Sequence, residues 1–140
     1  MKHVIFVYGT LLSGLSLHSH MAGARWLGAG RVRARLLDLG DYPGMVCVGQ
    51  DDPVFVHGEV YEVEQALLNK LDAVEEYDPQ DEPHSLYLRR ACVLHEPGPQ
   101  LPRTVWAYLF NRSVASCKEI PDGNYRAYLT DQARLRKGAA

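Results

Sequence analysis

The sequence predicts a single domain of the α+β class that spans residues 1–140. Short segments with strand-like patterns recur along the whole chain, whereas only a few segments have the spacing of a helix. A chain of this length can bury one hydrophobic core. No repeat, linker or low-complexity tract divides it, so we expect all the elements to share that core.

The first strand and the loop after it form the most distinctive stretch. Residues 4–7 are apolar, rich in β-branched side chains and too few for a typical helix. Gly9 ends this strand, and Thr10, Ser13 and Gly14 keep the next segment polar. A glycine at a strand end lets the backbone approach a ligand, and N–H groups there could bind a carboxylate or another anion. The alternative is an ordinary turn without a ligand.

The middle of the chain alternates between strands and turns. Arg31, Arg33 and Arg35 alternate with apolar residues, which predicts a strand with one solvated face. Gly58 lies inside a later strand and indicates either a bulge or a close approach by another group. The elements predicted here are a short helix within residues 15–27, strands at 31–37, 45–48 and 54–63, and turn-rich loops at 38–44 and 51–53.

The clearest helix pattern covers residues 63–74, where apolar side chains recur every three or four positions. This pattern places Asp72 well away from the apolar stripe and Glu76 toward water. Glu75 instead falls between Leu71 and Leu68, on the flank of the buried face. A carboxylate in that position needs partners or a raised pKa. The alternative is a glutamate at the rim that extends into solvent.

The last third of the chain adds two strands and a helix. Residues 104–110 are apolar on both faces, which predicts a central strand of the sheet. The other predicted elements are a strand at 85–95, a helix at 124–136, a turn at 97–102, and loops at 77–84 and 113–122.

Composition argues against several classes of partner. The formal net charge is −2 and the pI is about 6.3, so nothing favours binding to nucleic acid or to an acidic membrane. No apolar run approaches the roughly 18 residues of a membrane-spanning helix, and the N-terminal residues show no signal-peptide pattern. Cys47, Cys92 and Cys117 are odd in number and far apart. They predict reduced thiols and a cytoplasmic location.

Motifs of several enzyme classes are absent from the sequence. It contains no GxxxxGK[ST] nucleotide loop, no GxSxG elbow and no HExxH helix. His18 and His20 lie two positions apart without a carboxylate or cysteine nearby, so we expect no metal site there. A Cys–His nucleophile pair that meets only in space stays open as an alternative.

Six short motifs follow one another along nearly the whole chain. They are Tyr8-Gly9-Thr10-Leu11 after the first strand, Tyr42-Pro43-Gly44, Gly58-Glu59-Val60-Tyr61 at the opening of a helix, Leu71-Asp72-Ala73-Val74-Glu75, Tyr87-Leu88-Arg89-Arg90, and Pro121-Asp122-Gly123-Asn124-Tyr125. In this order they resemble the gamma-glutamylcyclotransferase-like superfamily. The most similar branch includes gamma-glutamylaminecyclotransferase and small bacterial proteins of unassigned substrate.

The resemblance implies a compact mixed β-barrel with a few flanking helices. It also implies that the loop from Tyr8 to Leu11 holds a γ-glutamyl group through backbone amides, and that Glu75 is the catalytic acid/base. In the family's reaction, the free α-amine of a γ-glutamyl compound attacks its own side-chain carbonyl. The products are 5-oxoproline and a released amine or amino acid. The implied partner is a small γ-glutamyl compound, with no metal, nucleotide or redox cofactor.

The motifs imply further residues around this site. The expected substrate-binding residues are Tyr8, Gly9, Thr10, Leu11, Tyr42, Pro43, Gly44, Tyr87 and Tyr125. Gly44 is expected to widen the pocket wall, because relatives often carry a larger residue there. Tyr61 and Tyr108 are candidates too, although core packing is the favoured interpretation for both. Arg89 and Arg90 are expected to pair with acids rather than to touch substrate.

Two other classes of function stay open. A non-catalytic small-molecule or peptide-binding domain on the same scaffold would bind a γ-glutamyl compound without turning it over. A plain interaction module with a vestigial site would show no rise in melting temperature with such a ligand, whereas a true binding protein is stabilised by mass action.

Overall fold

A computed structural model of the chain describes residues 1–138. Its seven strands and two α-helices, in chain order, are β1 (Lys2–Val7), β2 (Arg25–Asp38), β3 (Pro43–Cys47), β4 (Phe55–Glu64), α1 (Gln65–Val74), β5 (Tyr87–Val93), β6 (Thr104–Phe110), β7 (Lys118–Glu119) and α2 (Tyr125–Gly138). Short 3₁₀ turns cover His18–Met21 and Glu82–His84. This mixture confirms the predicted α+β class.

The strands form one mixed sheet in the order β3-β2-β4-β1-β6-β5, and β7 pairs with β2. Only the β1–β6 pair is parallel among these strands. The sheet curls so far that β3 also packs against β6. The predicted barrel is therefore a curled half-barrel whose two outer strands are β3 and β5.

Side chains from several strands of this sheet form the hydrophobic core. In β2, Val32, Ala34 and Leu36 are buried while the alternating arginines are only partly so, as the alternation predicts. Central strand β1 contributes Ile5 and Phe6, which are fully buried. Strand β6 lies between β1 and β5, which confirms its prediction as an interior strand.

Gly58 is a position where the fold tolerates no side chain. A Cβ at this residue would collide with the carbonyl oxygen of Val7 and lie 2.7 Å from Cζ of Phe6. The close approach predicted from the sequence is therefore correct. The register irregularity in the β2–β4 pairing lies elsewhere, between Trp26 and Gly28.

Several predicted boundaries were wrong. The helix predicted within residues 15–27 is reduced to the 3₁₀ turn His18–Met21, because β2 already begins at Arg25. The segment Gly58-Glu59-Val60-Tyr61 lies inside β4 and does not open a helix. Pro43 and Gly44 belong to β3 rather than to the preceding loop. The predicted loop at 113–122 contains the short strand β7.

Candidate active site

The loop after β1 uses its carbonyl groups internally and leaves its amides unused. The carbonyl oxygens of residues 9–11 each accept a 2.9 Å hydrogen bond, from the backbone of Leu12, the backbone of Leu17 and Nδ1 of His18. Within residues 1–138, the N–H groups of residues 9–11 donate to no protein acceptor. Successive unpaired amides of this kind form a binding site for an anion.

Gly9 holds this loop against β3. A Cβ at Gly9 would lie 2.6 Å from Cγ of Pro43, so the absence of a side chain allows the two segments to touch. The hydroxyl of Tyr87 donates a 2.7 Å hydrogen bond to the Pro43 carbonyl and so ties β5 to the same place. Three segments distant in sequence therefore meet at Pro43.

The opposite wall of the site is the C-terminal end of α1. Leu68 and Leu71 are buried, and Glu75 continues the same face as the residue that caps the helix. Glu75 is partly buried, whereas Glu76 is exposed and takes a left-handed backbone conformation with φ 54°. The predicted separation of these two glutamates is confirmed.

Asp72 lies on the buried face of α1, so its predicted outward orientation is wrong. Arg89 of β5 forms a bidentate ion pair with it, in which Nε donates to Oδ1 at 2.8 Å and Nη2 donates to Oδ2 at 3.2 Å. The hydroxyl of Tyr108 donates a further hydrogen bond of 2.6 Å to Oδ1. A buried carboxylate is tolerated when its charge and its oxygens are satisfied in this way. Arg89 and Arg90 each pair with an acid, as predicted, the latter with Glu82.

Three tyrosine hydroxyls in the cavity are already occupied by protein. Tyr8 donates to the carbonyl of Tyr108 at 2.7 Å and accepts from the backbone N–H of Met45 at 3.2 Å. Tyr87 donates to a backbone carbonyl, and Tyr108 donates to a carboxylate. Burial raises the pKa of all three phenols, and the charge of Glu75 adds to the effect. Tyr42 also lines the cavity, and within residues 1–138 its hydroxyl has no hydrogen-bond partner.

These elements enclose a cavity of about 380 Å³ inside the half-barrel. Eight of the predicted site residues line it, namely Tyr8, Gly9, Thr10, Leu11, Tyr42, Pro43, Glu75 and Tyr87. The structure thus brings the glycine loop and the helix end together around one space. Tyr108 lines the cavity as well, although core packing was the favoured interpretation for it.

Two predicted site residues do not line this cavity. Gly44 does not widen its wall, because Leu39 and Phe110 fill the space that a side chain would take, with atoms 2.8 Å from a Cβ built there. Tyr125 is buried in the core at the start of α2. Tyr61, a weaker candidate, also lies outside the cavity and hydrogen-bonds Glu59.

Glu75 is a carboxylate of the cavity wall with a strongly perturbed pKa. Within residues 1–138, its carboxylate accepts no hydrogen bond and forms no ion pair. Burial, and secondarily the neighbouring Glu76 carboxylate, raise the pKa of Glu75 from about 4.5 to about 7. Close to neutral pH this side chain can therefore both take up and release a proton.

Sequence reasoning missed a second buried carboxylate, Glu59 of β4. It accepts two 2.8 Å hydrogen bonds from the backbone and hydroxyl of Ser13, at the end of the glycine loop. Arg126 of α2 donates to Glu59 at 3.1 Å and to the Ser13 carbonyl at 2.7 Å. Burial alone would raise the pKa of Glu59, but these hydrogen bonds lower it below its usual value. Its place on the same strand face as the apolar residues Tyr61 and Val63 is the sequence signal that could have identified it.

The rest of the described chain offers few other sites for chemistry. Within residues 1–138, no group of three or more His, Cys, Asp or Glu side chains is arranged to hold a metal ion. The three cysteines are unpaired in this part of the chain. No helix there has both the length and the apolar character needed to cross a membrane.

Comparison with known proteins agrees with this fold and cavity. A putative gamma-glutamylcyclotransferase of Vibrio cholerae is 42% identical over 127 residues, which are 89% of this chain and 96% of that protein. The gamma-L-glutamyl-butirosin B gamma-glutamyl cyclotransferase of Niallia circulans is 34% identical over 110 residues, which are 77% of this chain and 67% of that protein.

A solved structure shows the same architecture. The solution NMR structure of protein ytfP from Escherichia coli superposes with a TM-score of 0.61 and is 32% identical, covering 89% of this chain and 96% of that one. The family model described as gamma-glutamyl cyclotransferase, AIG2-like, matches residues 5–127. This chain therefore belongs to the AIG2-like gamma-glutamyl cyclotransferase family.

Proposed function

We propose that this protein is a cyclotransferase that converts a γ-glutamyl amide into 5-oxoproline and a free amine, with Glu75 as the general acid/base. The observation that carries the proposal is the unpaired carboxyl of Glu75, with a pKa of about 7, in the same cavity as the unused amides of residues 9–11. Family membership and the names of the relatives support the same activity.

The first step of this reaction needs a base. An α-amine with a pKa near 8 is mostly protonated at neutral pH and has no lone pair for attack. Transfer of its proton to an ordinary glutamate is uphill by about 3.5 pKa units, or roughly 5 kcal/mol. With the pKa of Glu75 at about 7, the same transfer is uphill by about 1 unit, or roughly 1.4 kcal/mol.

The remaining steps use the same groups. The deprotonated α-nitrogen attacks the γ-carbonyl carbon, and the tetrahedral intermediate collapses when the amide C–N bond breaks. Glu75 returns its proton to the leaving nitrogen, which departs as a neutral amine. It then accepts the second proton, which the attacking nitrogen loses as it becomes the lactam N–H, and passes it to the amine or to solvent. Because the nucleophile and the electrophile belong to one molecule, the cavity mainly has to hold the substrate in a folded conformation.

The backbone amides of residues 9–11 are suited to the negative charges of the substrate. They can bind the α-carboxylate of the glutamyl group or stabilise the oxyanion that forms at the γ-carbon. The hydroxyls of Tyr8, Tyr87 and Tyr108 already donate to protein acceptors, so their rings shape the cavity while the amides supply hydrogen bonds. No step of this mechanism calls for a metal or an organic cofactor.

The test is turnover by the Glu75→Gln variant. Wild-type protein is expected to release 5-oxoproline from at least one member of a panel of γ-glutamyl amino acids and amines. Loss of a general base lowers kcat by about 100-fold to 10,000-fold, and glutamine keeps the size and shape of the side chain. Release of 5-oxoproline, measured by chromatography, reports the rate.

The control is Glu96→Gln, because the same substitution is made there at an exposed glutamate that lies outside this cavity. Its rate is expected to equal that of wild type. If Glu75→Gln also retains the wild-type rate, then Glu75 is not the base. Saturable binding of a γ-glutamyl compound without product in wild type would instead favour the non-catalytic binding domain.

A further inference from the structure

The segment of residues 9–24, which joins β1 to β2, carries the unused amides of the candidate active site. Most of its hydrogen bonds are internal, such as the 2.9 Å bond from the Leu12 N–H to the Gly9 carbonyl. In the part of the chain that the structure describes, each hydrogen bond between this segment and another element involves Ser13. Ser13 is therefore the polar contact through which the rest of the protein holds the segment.

Two residues bind all three polar groups of Ser13. Glu59 of β4 accepts the Ser13 N–H at Oε1 and the Ser13 hydroxyl at Oε2, both at 2.8 Å. Arg126 of α2 donates to the Ser13 carbonyl at 2.7 Å and to Oε2 of Glu59 at 3.1 Å. The hydroxyl of Tyr61 donates to Oε1 of Glu59 at 3.1 Å. An ionised carboxylate is suited to this place, because its two oxygens accept from all four donors.

The position of Glu59 on β4 lets it close the turn that carries the amides. Its backbone lies opposite Val7, the last residue of β1, while its side chain binds Ser13 beyond the turn. Both ends of the intervening residues 8–12 are thus tied to a single residue of the sheet. A turn whose two ends are fixed has fewer accessible conformations than one that is fixed at its start alone.

The direction of the amides depends on how this segment folds. In a trans peptide the C=O and the following N–H point to opposite sides. The carbonyls of Gly9 and Thr10 accept hydrogen bonds from inside the segment, so the N–H groups of Thr10 and Leu11 point away from those partners. Thr10 and Leu11 line the cavity, whereas Ser13, Glu59 and Arg126 lie outside it, so these three residues act on the cavity only indirectly.

We propose that Glu59 and Arg126 are positioning residues that, through Ser13, hold the amides of residues 9–11 in the arrangement that binds the α-carboxylate of the γ-glutamyl group. This inference rests on the proposed function. The α-carboxylate takes no part in the bond changes, so it is present in the substrate and in the transition state alike. An interaction made equally in both states lowers KM without raising kcat.

The experiment measures kcat and KM separately in Glu59→Gln and Arg126→Gln. Glutamine at position 59 keeps the size of the side chain but loses the charge and one acceptor. Hydrogen bonds to a charged group are each worth about 10-fold or more in an equilibrium. If the binding-competent loop falls to about a tenth of the population, KM rises by about 10-fold. We expect that rise in both variants, with kcat within about 2-fold of wild type.

The matched controls come from a second acid–arginine pair on the same strand. Glu62 of β4 accepts a 3.2 Å hydrogen bond from Nε of Arg25, and both residues lie outside the cavity. Glu62→Gln and Arg25→Gln therefore break an ion pair of the same chemistry that does not contact Ser13. Their KM and kcat are expected to equal those of wild type.

A purely structural role of Glu59 and Arg126 would give a different result. Partial unfolding lowers the concentration of active protein, so kcat falls while KM stays unchanged. That pattern in the two variants, or an unchanged KM in both, overturns the inference while the proposed function stands. Arg126 is exposed on α2, so its substitution leaves the core intact. The KM of Arg126→Gln therefore decides the question if Glu59→Gln does not fold.

Failure of the proposed function is recognised by the absence of 5-oxoproline with wild-type protein and every substrate. In that case γ-glutamyl ethylamide, which is then a stable ligand, is titrated by calorimetry into wild type, the two variants and the two controls. The dissociation constant reports binding, and the stoichiometry reports the folded fraction separately. A rise of about 10-fold in the dissociation constant of both variants, but not of the controls, supports the positioning role by itself. Equal dissociation constants in all five proteins, or no binding by wild type, overturn it.

Discussion

Replacement of Glu75 by glutamine is expected to make the protein more stable at alkaline pH. The pKa of Glu75 is about 7 in the folded protein and about 4.5 in the unfolded chain. The folded-state pKa is therefore raised, so the protonated carboxyl favours the fold below about pH 4.5, and this contribution is lost as the pH rises through 7. A shift of 2.5 units corresponds to up to about 3 kcal/mol of unfolding free energy at pH 8.

Glutamine does not ionise, so the Glu75→Gln variant avoids this loss. At pH 8 its unfolding free energy is expected to exceed that of wild type by up to about 3 kcal/mol, a rise in Tm on the order of 10 °C for a domain of this size. The difference between the two proteins is expected to shrink as the pH is lowered toward 4.5. Denaturant melts from pH 5 to pH 8 measure it, and Glu96→Gln serves as the exposed control.

The reasoning about Glu75 is refuted if the two proteins have the same pH dependence of stability. Such a result would mean that the Glu75 carboxyl is hydrated in the folded protein, with an ordinary pKa. It would also remove the physical basis for its use as a base, because an ordinary glutamate is too weak by roughly 3 kcal/mol. Stability and catalysis therefore test one property of the side chain by independent measurements.

Three further predictions concern the pH dependence of catalysis and the stability of two buried positions. In wild type, kcat/KM is expected to rise with pH around a midpoint near 7, because Glu75 must be ionised to act as a base; a flat profile from pH 5 to pH 8 would contradict this. Glu59→Gln is expected to lower the unfolding free energy by about 2 kcal/mol in urea melts, since it weakens a buried hydrogen-bonded charge, and an unchanged midpoint would argue against that role. Gly58→Ala is expected to cost about 3 kcal/mol or more, because the new methyl group would meet a backbone carbonyl and a phenyl ring. Gly49→Ala, with no atom within 4 Å of the added carbon, is its matched control and should remain near wild type.

The sequence contains enough local information to predict most strands and both α-helices. Alternation located the interior face of β2, and the length of the apolar run located β6 to the residue. The pairing order is less accessible, because β1 pairs with β4 and β6, which lie far along the chain. The two-residue strand β7 carries no pattern at all, since both of its residues are exposed.

The helical prediction within residues 15–27 failed for a related reason. Its apolar residues have helical spacing, but Met21 is the only residue of the 3₁₀ turn that becomes buried. One buried side chain gives a helix little to pack against, and most helical stability comes from an apolar face that is packed. The end of the segment, from Arg25 onward, instead belongs to β2 and pairs with β4.

The candidate site shows the same division between local and long-range information. Glu75 was located by its own helix, because Leu68 and Leu71 set the buried face that it continues. Gly44 could not be assigned in this way, since the residues that fill its space, Leu39 and Phe110, come from different parts of the chain. A glycine in sequence does not reveal whether the space beside it is empty or filled.

Asp72 and Glu75 are two acids at the end of α1 that differ in their partners, and this difference accounts for the basicity of Glu75. Both lie at the same end of α1, yet only Asp72 accepts hydrogen bonds from the protein, two from the guanidinium of Arg89 and one from the hydroxyl of Tyr108. The guanidinium also lies over Trp106, 4.6 Å from the ring centre, and it is not among the groups that shift the pKa of Glu75. A cation within about 4–6 Å of Glu75 would lower its pKa by about 1–3 units and leave a weak base. The buried acid–arginine pair thus stabilises the contact between helix and sheet, while burial and, secondarily, the neighbouring Glu76 carboxylate determine the basicity of Glu75.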